Sequence, residues 1–163
     1  PLGSLRYRAV AGPEFIRRWM PRSTGRDGAE WLGGVPVVDF DRKDDLQNRF
    51  FRQLTGRTLE APWHYVPASA EFAGAARLGL GWALLPEQQC LADIRSGTLQ
   101  ELAPDLPLDV PLFWQRWKIS SPLLDLLAEA VRRTAAETLQ PGPGRGTRPR
   151  AHKVGSEGPD EGA

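Results

Sequence analysis

Trp63 to Glu87, W-H-Y-V-P-A-S-A-E-F-A-G-A-A-R-L-G-L-G-W-A-L-L-P-E, decides the expected fold, because a strand, a helix and a second strand follow one another there with little connecting chain. Trp63, Tyr65 and Val66 favour an extended segment that stops at Pro67. Ser69 stands where a helix N-cap belongs, ahead of Phe72, Ala75, Ala76 and Leu78 at helical spacing. Gly79 and Gly81 close that helix, and the short apolar run Trp82–Leu85 ending at Pro86 suits a buried strand of a parallel sheet. The stretch therefore reads as a β-α-β module, which makes the chain an α/β domain.

Working outward, Leu5 to Val10 alternates as a strand that ends at Gly12-Pro13, and Pro13 opens a short helix through Met20 with Phe15, Ile16 and Trp19 on its inner face. A polar loop over Arg22 to Gly28 follows, then a strand from Val35 to Phe40 entered through Gly33-Gly34 and Pro36. Asp44 or Asp45 is the natural cap of a helix whose apolar positions are Leu46, Phe50, Phe51 and Leu54, with a stop at Thr55-Gly56. Beyond the module, Gln88 to Ser96 is a helix with Leu91 and Ile94 inward, and Thr98 to Leu102 is a short strand. Pro104, Pro107 and Pro111 exclude a helix, so the next strand is expected over Leu112 to Trp117. Ser121 and Pro122 start a last helix with a wide leucine face.

The 163 residues suffice for one modest core. Hydrophobic residues make up 40% and charged residues 25%, and no apolar run approaches the length that spans a bilayer. A net charge of +1 gives the chain no electrostatic footprint for nucleic acid. The single cysteine excludes an internal disulfide and fits a reducing compartment. Pro1-Leu2-Gly3-Ser4 reads as native sequence in preference to a tag-removal scar, and a start without methionine predicts a piece of a longer protein. From Gln140 the chain is Gly, Pro, Arg, Ser and acidic residues, too poor in aliphatics to offset ordering entropy, so a disordered tail is expected there. Arg145, Arg148, Arg150 and Lys153 in it read as solvated charges in preference to a nucleic-acid contact.

Few residues carry chemistry. His64 on a strand and Cys90 on a helix lack the glycine elbow or oxyanion motif that nucleophilic catalysis needs. His152 lies in the expected tail and builds no metal site with His64. Gly79-Leu80-Gly81 ends a helix before a strand, the reverse of a phosphate-binding turn. The six tryptophans alternate with aliphatics and read as core or interface. Carboxylates at a strand's exit are different, because ligands of open α/β sheets bind at that edge. Asp44 and Asp45 serve as caps, whereas Asp39 and Asp41 have no evident structural duty and are candidates to hold an ammonium. Ser69 and the N–H groups beside it form a site suited to a carboxylate.

L-G-L-G-W-A-L-L-P-E resembles the Gly-x-Gly-x-x-x-x-Pro turn and strand in the effector-binding domain of LysR-type transcriptional regulators. P-L-G-S-L-R-Y-R-A-V-A-G-P-E-F, V-P-V-V-D-F-D-R-K-D-D-L-Q, W-H-Y-V-P-A-S-A-E-F and D-V-P-L-F-W-Q-R-W-K stand in the order seen in the lysine/arginine-responsive subgroup, regulators of basic amino-acid export, and cover Pro1 to Leu139. The resemblance implies a type-2 periplasmic-binding-protein-like fold, with residues 1–107 as near-complete subdomain II. Residues 108–139 would then be the return strand and helix of subdomain I, and 140–163 the tail. It implies an effector, lysine or arginine, for which position and charge make Asp39, Phe40, Asp41, Arg42 and Ser69 the candidate contacts, with no catalytic residue, cofactor or metal expected. It also implies a cytoplasmic homodimer or tetramer that contacts DNA only through an N-terminal winged helix-turn-helix absent from this chain, and no membrane. The alternatives are a transport-type solute-binding protein of the same fold and, third, an enzyme using His64 and Cys90.

Overall fold

The computed structural model describes residues 1–20, 28–115 and 121–142. The expected loop over Arg22 to Gly28 falls almost wholly outside them, as do Trp117 and the expected tail from residue 143, which contains His152 and the four basic side chains.

Strand β1 (Gly3–Ala11) is the spine. On one side it pairs antiparallel with β4 (Ala83–Pro86), from Tyr7 opposite Pro86 to Val10 opposite Ala83. On the other it pairs antiparallel with β6 (Leu108–Leu112) along its first half and with β5 (Gln100–Glu101) at Val10 and Ala11. A second ladder joins β2 (Val37–Asp39) and β3 (Trp63–Tyr65) in parallel. The ladders meet at one residue: Trp82 bridges Val37 in parallel, donates its N–H to Pro36 O (3.1 Å) and accepts from Val38 N–H (2.8 Å). This contact requires glycine beside it, since a Cβ on Gly81 would sit 2.8 Å from Pro36 O. The module is thus a β-α-β crossover over β2. The parallel sheet expected there is in fact mixed, because β4 spends its length on the antiparallel β1, a partner too distant in sequence for local pattern to reveal.

Period-two alternation gives the sheet two buried faces. Ala9, Ala11, Val37, Trp82 and Leu84 face one cluster, covered by Phe15 of α1 (Pro13–Trp19), Leu32 of a 3-10 segment (Gly28–Gly34), and Phe50 and Phe51 of α2 (Leu46–Thr55). Val10, Val38, Ala83 and Leu85 face the other, covered by Phe72 and Ala76 of α3 (Ser69–Arg77) and Cys90 of α4 (Glu87–Ser96). Each large side chain so buried contributes about 1.5–3 kcal/mol. The indole of Trp82, fully buried, lies 5.8 Å from the Phe50 ring and donates to Leu32 O at 3.2 Å. Arg8 ties the antiparallel half together from outside, reaching Glu87 at 2.8 Å and Glu101 at 2.6 Å.

Several boundaries differ from expectation. Ser69 is the first helical residue of α3; Ala68 is the N-cap, its carbonyl accepting from Glu71 and Phe72 N–H, and the Ser69 hydroxyl makes no capping bond. Cys90, not Leu91, is the fully buried residue of α4. The return strand occupies Leu108–Leu112 instead of starting at Leu112. It includes Pro111 because β6 is an edge strand, where a missing N–H costs nothing, and it is pinned by Arg6 to Asp109 at 2.7 and 2.8 Å. Helix α5 (Pro122–Thr138) buries only Ala128 and Ala135, leaving Leu123 and Leu126 74% and 71% exposed. Gln140, where the tail was expected to begin, exchanges two backbone hydrogen bonds with Ser4.

Candidate functional site

The exit of β2 is where the predicted residues converge. Asp39 ends the strand with 1% exposure, and Phe40 N–H donates to its Oδ1 at 2.7 Å. Burial pushes its carboxyl up to about 6; the Phe40 hydrogen bond opposes this, while Asp44, Asp41 and Asp45 add to it. Asp41 does have a structural duty: its Oδ1 accepts from Lys43 N–H (2.7 Å) and Asp44 N–H (3.1 Å), closing an Asx turn. Asp44 then accepts from Leu46 N–H at 3.0 Å and secures the first turn of α2, while Asp45 occupies the N-cap position without a side-chain bond. The Arg42 guanidinium lies over the Tyr65 ring at 5.5 Å, and that ring stacks on Trp63.

Beside this shoulder lies a cleft of about 190 Å³ between the starts of α2 and α3 and the β1–β4 pair. Leu46, Phe72, Leu84 and Pro86 make its apolar lining; Phe40 stands on one side and Ser69 on the other. Among the described residues its polar lining is Tyr7, Asp44, Gln47, Ser69 and Gln89, which include one carboxylate and neither lysine nor arginine. The structure thus brings Phe40 and Ser69 together. It places Asp39 behind Phe40, gives Asp41 to its own turn, and sets Arg42 on Tyr65 outside the cleft lining. Since the N–H groups of Glu71 and Phe72 are bonded to Ala68 O, those of Ser69 and Ala70 are left, among the described residues, as the open donors at the mouth of α3.

Sequence reasoning missed Tyr7, Asp44 and Gln47 as cleft residues. Gln47 carried a signal: it is polar at a position that shares the inward face of α2 with Phe50, Phe51 and Leu54. It is 1% exposed, and its Nε2 donates to Val38 O at 3.0 Å. The remaining chemical candidates lie outside the cleft lining. Burial, and then Glu101 and Glu87, push the Cys90 thiol up to about 11, which disfavours the thiolate a nucleophile needs. His64 is exposed on β3. Gly79, at φ 77°, ends α3 in a conformation that favours glycine. Among the described residues no three His, Cys, Asp or Glu side chains are placed to share a metal ion, and no helix is long and apolar enough to cross a membrane.

No family model matches the chain. Among curated proteins, the HTH-type transcriptional regulator ArgP of Pseudomonas fluorescens is 42% identical over 142 residues, 86% of this chain and 46% of that protein. The lysine export transcriptional regulatory protein LysG of Corynebacterium glutamicum is 37% identical over 145 residues, 86% of this chain and 47% of LysG. The chain therefore spans about half the length of the curated relatives it matches. Full-length LysG from that organism, solved with bound effector Arg, superposes with a TM-score of 0.72 at 35% identity over 86% of this chain and 47% of that one. The C-terminal domains of a LysR family protein from Agrobacterium tumefaciens superpose with a TM-score of 0.78 at 35% identity, over 86% of this chain and 67% of theirs. The fold, the order of motifs and these matches lead to one conclusion: the chain belongs to the LysR family of transcriptional regulators and corresponds to their C-terminal, effector-binding part.

Proposed function

We propose that this chain senses a basic amino acid, lysine or arginine, as the effector-binding part of a regulator of amino-acid export or metabolism genes. The observation that carries the reading is the cleft at the exit of β2, where the described residues offer one carboxylate, no basic side chain and an open helix mouth. A zwitterion with a cationic side chain needs both an acceptor and an anion site. Ser69 and the N–H groups at the start of α3 receive its carboxylate. Phe40 covers its aliphatic stem, and the buried Asp39 adds negative potential behind it. Asp41 and Arg42 shape the shoulder, Asp41 by holding Asp44 in place and Arg42 by clamping it to Tyr65. The bound arginine of LysG, a relative at 35% identity, supports the choice of effector class. The regulator names of the relatives favour this reading over a solute-binding protein of a transport system and over an enzyme.

In the same reading residues 1–107 form subdomain II and 108–139 the returning strand and helix of subdomain I. The protein works in the cytoplasm as a homodimer or tetramer, and effector binding biases the equilibrium of an assembly that touches DNA through other residues. Calorimetric titration of the chain with lysine, arginine and glutamate tests it. Heat with the two basic amino acids and none with glutamate is expected; silence with lysine and arginine overturns it. The chain alone is expected to leave no footprint on promoter DNA near physiological salt, because its net charge is +1.

A further inference from the structure

Gln47 holds a buried amide whose bonding is half complete. Its Nε2 donates to Val38 O, an acceptor only, so the orientation of the amide is settled and Oε1 is left as an acceptor. Among the described residues, Oε1 is the buried side-chain polar atom that has no hydrogen-bond partner. A buried acceptor without a donor is costly to fold around, and α2 tolerates it one turn from Asp44, on the wall of the same cleft. Among the described residues, the formal charge that lines the cleft is the Asp44 carboxylate; Asp39 lies behind Phe40, and Asp41, Lys43 and Asp45 stand on the turn outside the lining. Arg42 is drawn off to Tyr65. Among the described residues, nothing donates an N–H to Gln47 Oε1.

We infer that Gln47 Oε1 and the Asp44 carboxylate together receive the cationic side chain of the effector, Gln47 acting as the residue that selects for it. The inference rests on the effector reading above and deepens it. An effector's α-ammonium is already balanced by its own α-carboxylate, which Ser69 and the α3 mouth engage. The net charge of lysine or arginine sits on the side chain, and it matches the one carboxylate among the described residues of the cleft. Gln47 supplies what Asp44 alone does not: an acceptor fixed in direction by Val38, which discriminates an N–H donor from a methyl group through an unmet hydrogen bond.

The test compares lysine with norleucine, which has the same stem and no side-chain nitrogen. In the chain as it stands, the Gln47 side-chain amide resonances in nitrogen-proton correlation spectra should move with lysine and stay still with norleucine. Lysine should bind about tenfold or more tightly than norleucine, the ratio expected for a charge-assisted bond. Gln47→Met and Asp44→Asn should each pull that ratio toward one. If the parent prefers lysine and both variants keep the full preference, this inference fails and the effector reading stands. If the parent binds neither lysine nor arginine, the effector reading itself fails. Should Gln47→Met not fold, the parent's amide resonances and Asp44→Asn decide, and an unmoved amide with an unchanged ratio overturns the proposal.

Discussion

Helices α3 and α5 look alike as sequence and behave differently as structure. Both start beside a serine and carry an apolar stripe, yet α3 buries Phe72, Ala73, Ala75 and Ala76, whereas α5 buries two alanines and turns its leucines outward. The difference lies in the size of the inward residues. Alanines on α3 let its backbone approach the sheet until Gly12 N–H reaches Ala76 O at 3.0 Å, a spot where a Cβ on Gly12 would be 2.5 Å from Arg77 O. Large leucines on α5 need a deep partner surface; among the described residues that helix buries two alanines and accepts a bond from Gln88 at Thr138 O, while Leu123 and Leu126 stay exposed. An apolar stripe thus says which face needs cover, and residue size says how near the cover must come.

The sharpest way to break the comparison is to empty the packed side. Phe50→Ala removes a fully buried ring from against Trp82 and should cost about 3–5 kcal/mol in urea unfolding; a loss below about 1 kcal/mol would mean that the two-faced core is wrongly drawn. Asp39→Asn probes the same core from its charged corner. In the fold the Asp39 carboxyl is held up near 6, against 3.8 when free. The native state therefore binds that proton more tightly than the unfolded chain, so the parent is favoured at acid pH and loses this contribution as pH rises through about 6. The variant should lack that slope and be more stable than the parent at pH 7 by about 1–3 kcal/mol, the gap closing toward pH 4. Equal stability at both pH values would remove the buried carboxylate from the account.

On the open side the effects should nearly vanish. Leu126→Ala alters a side chain that is 71% exposed and should move stability by no more than about 0.5 kcal/mol; a loss like that of Phe50→Ala would show that α5 is packed in solution. Limited trypsin digestion sharpens the contrast without mutation. Cleavage after Arg132 or Arg133 of α5 should precede cleavage after Arg49 or Arg52 of α2, and the reverse order would count against it.

Much of the core was legible because it is local. The runs that hold Val37 and Val38 and Trp82 to Leu85 read as strands, without showing which face each residue takes, and Gly56, Gly79 and Gly97 marked helix ends that the structure bears out with positive φ. Phe40 and Ser69 were readable as cleft residues because strand exits and helix starts mark ligand edges in α/β sheets. The rest depended on contacts distant in sequence. That β1 runs antiparallel to β4, β5 and β6 is set by partners 70 to 110 residues away. Asp41 looked idle because an Asx turn and a ligand contact share one composition. Gln47 was hidden by its own helix, where a glutamine among phenylalanines reads as an imperfection of the stripe until its amide is seen.

The one-residue seam at Trp82 also explains why a cleft exists there at all. Strands β2 and β4 run in the same direction and are bridged only at Val37 and Trp82. Beyond that point each follows its own ladder, β2 toward β3 and β4 toward β1. Two ribbons pinned at one point and pulled by different neighbours must splay like the blades of open scissors, and the gap between the blades is the cleft lined by Phe40, Leu84 and Pro86. Its floor is the pin itself, where Trp82 is engaged from both sides by Pro36 and Val38.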